Sequence, residues 1–547
     1  MRPLIHEIQT SHTPESLVEQ LHGEPGVVLL RSGLFDSPQA RYSFVAARPF
    51  LTFRSFGSRC EIEIAGDEPR EWSAEFIPLR QRGLELKRTE VRAPTADAHI
   101  QFGNPWRILD GLMARYELLD EVDLPFPLGG CFGYWGYDLK NFVEPKLSRR
   151  GVNDLELPDC HVGFYDSLVV FDHRRGKTWI VSTGLSVDGS RSEFRAQAQV
   201  AFWQSLLGTK PKQTLTPALS LSKRERENTS SVGENSCVAE YRSTAGQLLP
   251  RPRRGGEGRG EGAVFANFSR SAFIAAVERA QRYIRAGDIY QVNLSQRLAS
   301  TCDLSGWEFF QRLSTVSPAP FAAYLDCGEF QIASSSPELF LRLSGSHILT
   351  RPIKGTRPRS DDPTRDAQLT YELQTSPKEM AELVMITDLL RNDLGKVCEY
   401  GTVQVPELVR LERYPQVQHL VSTVEGRLRP DVTHFAAFAS CFPGGSVTGA
   451  PKFRAMEIID ELEPVTRGPY TGALGYLGFN RESQLSIVIR AAIRREQQIV
   501  FNVGAGIVAD SNPAAEYDET IAKASGFLAA LNLQTQREYF VTATSGD

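Results

Sequence analysis

A stretch of low sequence complexity, from residue 209 to residue 263, divides the 547-residue chain into two long regions. The stretch is rich in Ser, Gly, Arg and Glu, so it buries too little apolar surface to offset the entropy of ordering. We predict a disordered insertion or linker here, between a region of residues 1–208 and a region of residues 264–535, with a tail at 536–547. Residues 251–259 also resemble an RNA-binding RGG segment, but the interleaved acidic residues favour a linker.

The overall composition excludes several classes of protein. Lys and Arg number 61 against 66 Asp and Glu, for a net charge of −5, so nucleic acid is not the expected partner. The 41% hydrophobic and 23% charged residues are typical of globular proteins. The eight cysteines are scattered without a CxxC pair, which indicates a reducing compartment. Because neither a signal peptide nor a membrane-length apolar run is visible, we expect a cytoplasmic protein that does not bind membranes.

The spacing of apolar residues predicts a mixed fold. Residues 1–208 contain short β-rich runs, such as 167–172 and 178–182, separated by turn residues. Residues 264–535 alternate long helical patterns with strands, but they lack the regular βα repeat and the GxGxxG motif of a doubly wound fold. We therefore predict an α+β protein with large antiparallel β-sheets packed together and flanked by helices.

Three polar residues of the second region are placed where a pocket can form. Gln291 lies on a predicted strand with alternating polar positions, which face either a pocket or solvent. Glu338 follows Pro337 between two apolar runs, so it is either an acid in a cleft, where burial raises the pKa of the carboxyl group, or half of a structural ion pair. Lys354, in a turn-like frame before Gly355, is either a nucleophile or part of a basic loop.

Two predicted helices carry acidic side chains. Each begins with a cap residue followed by proline, at 376–377 and 512–513. Glu382 stands in an otherwise apolar stretch of the first helix, so it is either paired or a ligand. Glu516, Glu519 and Lys523 share one face of the second helix. Carboxylates without a His or Cys cluster suit Mg²⁺ rather than Zn²⁺, and a solvated stripe of charges is the alternative.

Two glycine-rich turns, at 442–452 and 504–508, offer backbone N–H groups to an anion. The first precedes a predicted helix at 452–462, and neither turn matches the GxxxxGK[ST] phosphate-binding loop. Arg490 ends a predicted strand at 485–490 and is suited to a bidentate contact with a carboxylate. An anionic ligand is therefore expected.

Together these motifs resemble the chorismate-binding family, which includes anthranilate synthase component I, aminodeoxychorismate synthase component I, isochorismate synthase and salicylate synthase. The motifs that carry the resemblance are SSPE (335–338), PIKGT (352–356), DLLRND (388–393), HLVS (419–422), GSVTGAPK (445–452), YTGALGY (470–476), IVIR (487–490), GAG (504–506) and DET (518–520). Residues 129–137 (GGCFGYWGY) resemble the N-terminal half shared by the two aminating members. The resemblance implies the anthranilate synthase component I-like fold.

Two positions indicate one branch of this family. Gln291 stands where the water-adding members have a lysine base, so hydration at C2 of chorismate is disfavoured. Lys354 stands where anthranilate synthases usually have alanine, which implies formation of 4-amino-4-deoxychorismate for p-aminobenzoate and folate. By this resemblance Lys354 attacks C2, Glu338 protonates the departing C4 hydroxyl, and ammonia then attacks C4. Anthranilate synthesis and a catalytically inactive, partner-binding paralogue are the alternatives.

The resemblance also implies a cofactor, a substrate site and a partner. Mg²⁺ is expected at Glu382, Glu516 and Glu519. The residues expected to bind chorismate are Gln291, Thr356, His419, Ser446, Tyr470, Arg490, Gly504, Gly506 and Lys523. Since no glutaminase region is recognisable in the chain, we expect a separate glutamine amidotransferase subunit to supply ammonia.

Deletion of residues 213–261 should leave the turnover of chorismate largely unchanged, because a segment of this composition contributes nothing to a packed core. Steady-state kinetics of the deletion variant, with circular dichroism to check folding, measure this. A large loss of turnover in a folded variant would contradict the linker assignment.

Overall fold

The computed structural model describes residues 2–32, 41–65, 98–119, 124–209, 264–414, 417–533 and 540–542. Nearly all of the predicted insertion at 209–263 lies outside the described residues, so that prediction stays untested. In the predicted tail, residues 540–542 form a short strand. No helix of the described ranges is long and apolar enough to cross a membrane.

The helices are α1 (Pro14–Gln20), α2 (Pro105–Tyr116), α3 (Lys140–Val143), α4 (Glu193–Leu207), α5 (Arg270–Arg285), α6 (Gly306–Val316), α7 (Pro363–Gln374), α8 (Pro377–Gly395), α9 (His434–Cys441), α10 (Lys452–Leu462) and α11 (Pro513–Ala530). The predicted helix at 452–462 and the caps before α8 and α11 are confirmed. Ser376 Oγ accepts from the N–H of Glu379 at 3.4 Å, and Asn512 Oδ1 accepts from the N–H of Ala515 at 3.0 Å.

The strands of the first region are β1 (Leu4–Ile8), β2 (Val28–Arg31), β3 (Tyr42–Ala46), β4 (Leu51–Phe56), β5 (Arg59–Ile64), β6 (Ala98–Phe102), β7 (Gly130–Trp135), β8 (Cys160–Tyr165), β9 (Ser167–Asp172) and β10 (Lys177–Ser182). Those of the second region are β11 (Val264–Ala266), β12 (Gln291–Thr301), β13 (Phe321–Asp326), β14 (Gln331–Ser336), β15 (Leu339–Ser344), β16 (His347–Arg351), β17 (Ile353–Pro358), β18 (Gln404–Arg413), β19 (Val417–Arg427), β20 (Gly449–Ala450), β21 (Ala473–Gly478), β22 (Glu482–Ile487), β23 (Ala491–Arg495) and β24 (Gln498–Ile507). The last strand is β25 (Phe540–Thr542).

These strands form two large sheets. Within the described ranges, sheet A has 13 strands in the order β1-β10-β9-β3-β2-β13-β14-β23-β24-β12-β11-β25, with β20 beside β12. Sheet B, as far as the described residues show it, has 12 strands in the order β17-β19-β16-β15-β22-β21-β7-β8-β4-β5-β6, with β18 beside β19. Neighbours in both sheets are antiparallel, except that β25 runs parallel to β11. The predicted α+β fold with large antiparallel sheets is confirmed.

The two regions of the chain share both sheets. In sheet A, β2 pairs with β13, and in sheet B, β7 pairs with β21. The sheets pack against each other through aromatic side chains: the ring of Tyr476 on sheet B lies 5.2 Å from that of Phe44 on sheet A. Within sheet B, the ring of Tyr476 stacks 5.4 Å from that of Phe132, which belongs to the first region. The regions 1–208 and 264–535 therefore bury a common hydrophobic core.

Two glycines face each other where β7 meets β21. Gly133 and Gly475 are direct partners in the antiparallel register, with φ of +155° and +154°. A Cβ on Gly475 would overlap the carbonyl oxygen of Gln484, and one on Gly133 would overlap that of His161. The close approach of the strands on both sides thus requires the absence of a side chain here.

Gly475→Ala should lower the free energy of unfolding by about 3 kcal/mol, because β21 and β22 must move apart to admit the methyl group. Gly345→Ala is the matched control, since Gly345 has φ +56° and no atom within 4 Å of the position of a Cβ. The control variant should lose only ~1–2 kcal/mol of its free energy of unfolding, which is the cost of a left-handed backbone conformation for alanine. Urea unfolding of both variants measures the difference, and equal losses would show that the overlap is relieved without cost.

Candidate active site

The residues singled out from the sequence lie in one continuous network of contacts and electrostatic interactions. The network joins β12, β17, β19, β24 and the segment before β15 to α8, α11 and the loop before α10. Sheet A supplies β12 and β24, and sheet B supplies β15, β17 and β19. The site is therefore built from strands of both sheets and from two helices of the second region.

Glu338 lies at the break between β14 and β15. Pro337 interrupts the strand, and the backbone on both sides of it is held by Ile487: the hydroxyl of Ser336 donates to the carbonyl oxygen of Ile487 at 2.6 Å, and the N–H of Ile487 donates to the carbonyl oxygen of Glu338 at 3.1 Å. Glu338 is only 6% exposed, and burial raises the pKa of its carboxyl group. A hydrogen bond from the Ser446 hydroxyl and the charge of Lys354 oppose this rise. The group is thus a buried carboxyl that holds its proton more tightly than in water.

Lys354 lies beside this carboxyl. Its Nζ donates to the carbonyl oxygen of Ser446 at 3.4 Å, and the side chain is half-buried. The predicted turn-like frame is wrong, because residues 353–358 form β17. The register against β19 slips at Gly355, whose φ of +66° fits the extra residue of a bulge. A Cβ on Gly355 would lie 2.8 Å from the side chain of Leu373, so glycine permits α7 to pack close to Lys354.

Three carboxylates come from α8 and α11. Burial raises the pKa values of Glu382 and Glu516. The charges of Glu379 and Glu516 raise that of Glu382 further, and the charge of Glu519 raises that of Glu516. Glu516 accepts a hydrogen bond from the Ser511 hydroxyl at 2.6 Å. Glu519 is half-exposed and pairs with Lys523 at 2.8 Å. Two acids are therefore close together and partly desolvated, and the third is turned towards a lysine.

These carboxylates fit a magnesium ion in donor chemistry. Within the described residues, no group of three or more His, Cys, Asp or Glu side chains is already arranged to ligate a metal. Protein-bound Mg²⁺ often takes only one or two carboxylates, and water and substrate oxygens complete its shell. Glu382 and Glu516, whose like charges repel, provide that pair.

The residues 504–506 belong to β24, so the prediction of a glycine-rich turn there is wrong. In the register of β24 against β12, Gly504 faces Ser295 and Gly506 faces Asn293. A Cβ on Gly504 would lie 2.9 Å from the hydroxyl of Tyr470, and one on Gly506 would overlap the amide of Gln291. Both glycines therefore leave room for polar side chains that reach the site. Lys523 Nζ donates to the carbonyl oxygen of Gly504 at 2.8 Å and so ties α11 to β24.

Arg490 and His419 form the remaining part of the network. The predicted strand at 485–490 ends at Ile487, and Arg490 adopts a left-handed turn conformation with φ +51°. Burial lowers the pKa of Arg490, and no carboxylate of the described chain pairs with it. Burial and the charge of Arg490 lower the pKa of His419 to about 4, so the imidazole is neutral near pH 7. Its Nδ1 lies 2.8 Å from the hydroxyl of Thr356.

The structure adds two residues that the sequence analysis missed. Lys378 lies near Glu382 and Glu516 and lowers the pKa values of both carboxyl groups. It stands four positions before Glu382, on the same helix face, a spacing that was available as a signal. Arg467 lies under Tyr470 with its guanidinium carbon 5.8 Å from the ring centre. It precedes the YTGALGY motif, but nothing in the sequence distinguishes it from a surface arginine.

A comparison with family models matches residues 80–529 to the chorismate binding enzyme family. The chain belongs to the chorismate binding enzymes. It is 35% identical over 522 residues to anthranilate synthase component 1 of Acetivibrio thermocellus, covering 95% of this chain and 92% of that protein. It is 34% identical over 509 residues to aminodeoxychorismate synthase component 1 of Escherichia coli (strain K12), covering 93% of each.

Solved structures agree with the fold of this chorismate binding enzyme. The crystal structure of anthranilate synthase component I from Streptococcus pneumoniae TIGR4 superposes with a TM-score of 0.64 at 27% identity, covering 90% of this chain and 93% of that one. The family and the fold expected from the sequence motifs are thereby confirmed. Identity does not separate the two activities, because both kinds of relative are about equally similar.

Glu338→Gln should raise the free energy of unfolding near pH 7. Burial raises the pKa of Glu338 in the folded protein above its value in the unfolded chain. The wild-type protein is therefore most stable below the unfolded pKa, where Glu338 is neutral in both states, and it loses stability as the pH rises through the folded-state pKa and the buried carboxyl group becomes charged. The gain of the variant should therefore disappear below about pH 4.3, the ordinary pKa of glutamic acid. Urea unfolding across this range measures it.

The control variant is Glu308→Gln, for which the expected change in the free energy of unfolding has the opposite sign. Hydrogen bonds from Ser305 lower the pKa of Glu308, so its carboxylate stabilises the protein above the unfolded pKa. This variant should be less stable than wild type near pH 7. A Glu338→Gln protein that is also less stable there would contradict the unfavourable burial of the charge.

Proposed function

We propose that this protein is a cytoplasmic aminodeoxychorismate synthase component I, which converts chorismate and ammonia to 4-amino-4-deoxychorismate for p-aminobenzoate and folate synthesis. The observation that carries the proposal is the position of the Lys354 amine, beside the buried carboxyl of Glu338 and bonded to the backbone of Ser446. Membership of the family supports chorismate as the substrate. An amine in this place supports covalent chemistry rather than direct amination.

The proposed reaction has two displacement steps. The free amine of Lys354 attacks C2 of chorismate, the ring double bonds shift towards C4, and the C4 hydroxyl leaves as water with a proton from Glu338. Ammonia then attacks C4, the double bonds shift back, and the bond between C2 and the lysine nitrogen breaks. Chorismate and ammonia thus become 4-amino-4-deoxychorismate and water, and one difficult displacement is divided into two easier ones.

The buried carboxyl of Glu338 suits the role of general acid. Hydroxide is a poor leaving group, so a proton must be delivered to the oxygen as the bond breaks. Burial keeps the proton on Glu338 to a higher pH than in water, and the Ser446 hydroxyl orients the carboxyl group. Gln291 and the neutral His419, with Thr356, complete the polar surroundings of the ring.

The charges around the site suit a dianionic substrate. Arg490, Lys523 and the Tyr470 hydroxyl, with the backbone amides of Gly504 and Gly506, are proposed to bind the carboxylates of chorismate. Glu382, Glu516 and Glu519 would hold Mg²⁺. When bound, Mg²⁺ would neutralise a carboxylate of the substrate.

Anthranilate synthesis is the second candidate, because a relative with that name is 35% identical to the chain. The two activities differ in the carbon that receives nitrogen, C2 in anthranilate and C4 in the aminodeoxychorismate product. A lysine that occupies C2 leaves C4 for ammonia, which favours the first candidate. We propose a separate glutamine amidotransferase subunit as the source of ammonia.

Product analysis tests the proposed function. The purified protein is incubated with chorismate, Mg²⁺ and an ammonium salt at mildly alkaline pH, and the products are separated by chromatography. We expect 4-amino-4-deoxychorismate. Anthranilate fluorescence without an added lyase would support the second candidate, and no loss of chorismate at any ammonia concentration would indicate an inactive, partner-binding protein.

Lys354→Met should reduce formation of the product by roughly 100-fold or more, because the variant keeps the volume of the side chain but removes the nucleophile. Lys177→Met is the control, since Lys177 is half-exposed on β10 and pairs with Glu7 in the first region. Turnover of chorismate by both variants is compared with wild type. Wild-type turnover by Lys354→Met would rule out a covalent lysine.

Mg²⁺ should raise the melting temperature of the protein, because a cation relieves the repulsion between Glu382 and Glu516. Glu516→Gln should lose most of this rise, whereas Glu308→Gln should keep it. The rise should also weaken at acidic pH, beginning above the usual carboxyl range, because burial raises the pKa values of both ligands. A rise that is unchanged in Glu516→Gln would place the ion elsewhere.

A further inference from the structure

Arg467 is a buried arginine directly behind the proposed chorismate site. The residue is 2% exposed, and its charge is paired with Glu463 through a two-pronged contact. Nε donates to one carboxylate oxygen at 2.9 Å and Nη2 donates to the other at 2.7 Å. Because Glu463 already neutralises it, Arg467 is not a free cation for a substrate carboxylate.

The remaining donors of Arg467 reach three segments of the site. Nη1 donates at 3.0 Å to the carbonyl oxygen of Val447, which follows Ser446. Nη2 donates at 2.8 Å to the carbonyl oxygen of Asn293 on β12. Nη1 also donates at 3.1 Å to the hydroxyl of Thr471, which follows Tyr470. One planar group thus connects the segments that carry Ser446, Tyr470 and Gln291.

The contact with Thr471 stabilises an uncommon backbone conformation. Thr471 has φ +59°, which is a genuine outlier for a β-branched residue. Its hydroxyl donates to the carbonyl oxygen of Tyr470 at 2.7 Å and accepts from Arg467. Strained conformations of this kind persist only where the surrounding structure holds them. Arg467 therefore helps to hold the backbone that follows Tyr470, and its guanidinium carbon also lies 5.8 Å from the centre of the Tyr470 ring.

We propose that Arg467 is a positioning residue for the chorismate site, which holds Tyr470, Ser446 and the start of β12 at the spacing that the substrate requires. It contacts no reacting atom. Its partner Glu463 extends the same support, because the N–H and the hydroxyl of Ser295 donate to it at 2.8 and 2.9 Å. The inference rests on chorismate as the proposed substrate, but it does not depend on which product is formed.

A cavity on the other side of Arg467 gives experimental access to it. The cavity has a volume of about 100 Å³ and is lined by Arg467, Glu463 and Tyr137, with the half-exposed Arg149 and Arg150 nearer the surface. The Tyr137 hydroxyl is buried without a hydrogen-bond partner in the described chain. A small planar cation can therefore reach the place of the guanidinium group when the arginine is truncated.

The test compares Arg467→Lys with Arg59→Lys. Arg59 is also buried, pairs with Glu61 at 2.7 Å, and lies on β5, which five strands separate from β15. Consumption of chorismate gives kcat and KM below the melting temperature of each variant. Arg467→Lys should lower kcat/KM by about 10- to 100-fold, because a misplaced site costs this much. Arg59→Lys should lose only stability. An Arg467→Lys enzyme with reduced melting temperature but kcat/KM within about twofold of wild type would overturn the proposal.

Chemical rescue of Arg467→Ala is the second measurement. Millimolar guanidinium should raise the rate at which Arg467→Ala consumes chorismate by about tenfold. Urea, which has the same planar shape but no charge, should not raise this rate. Equal effects of the two compounds, or no rescue of a folded variant, would overturn the proposal. If Arg467→Ala does not fold, the comparison of Arg467→Lys with wild type decides alone.

The failure of this inference can be distinguished from the failure of the proposed function. If the wild-type protein consumes no chorismate, both fail. If the wild-type protein consumes chorismate and Arg467→Lys is as active, only this inference fails.

Discussion

The pairing of β7 with β21 is the contact on which the two sheets and the site depend. It joins the first region of the chain to the second in the middle of sheet B, where the paired Gly133 and Gly475 let β8 and β22 approach closely on the two outer sides. The strand β22, which pairs with β21, ends at Ile487, and the backbone of Ile487 holds both sides of the break at Glu338. The position of the proposed acid is therefore set through three neighbouring strands, β7, β21 and β22.

Burial of charged groups determines the chemistry of the site. Desolvation raises the pKa values of Glu338, Glu382 and Glu516 and lowers that of His419, so each neutral form is favoured. Such an arrangement costs stability unless ligands supply opposite charge. The site is therefore suited to a dianion and a divalent cation that bind together. The cation would balance the carboxylates of Glu382 and Glu516, and the dianion would balance Arg490.

Much of this arrangement could be predicted from local sequence. The caps at Ser376 and Asn512, the break at Pro337 and the helix at 452–462 follow from side chains a few positions away, and they are as expected. The strand predicted to reach residue 490 ends early, at Ile487. The errors at Gly355 and at 504–506 have a common cause. Glycines and polar residues that indicate turns in sequence are here used inside strands, where a neighbouring strand or helix approaches closely. The contacts of Arg467 with the backbone of Asn293 and Val447 could not be predicted either, because these residues are 174 and 20 positions away in the chain. Only its partners Glu463 and Thr471 are close in sequence.

The interleaved sheets have a consequence for the covalent chain. At the end of the first region, the carbonyl oxygen of Thr209 lies 2.8 Å from the ring of His12, and the second region begins with β11 at Val264. A protease that cleaved between these points would not release two autonomous halves. Each fragment would carry strands whose hydrogen-bonding edges are completed only by the other, so nicked molecules would stay associated and separated fragments would expose open β edges and aggregate.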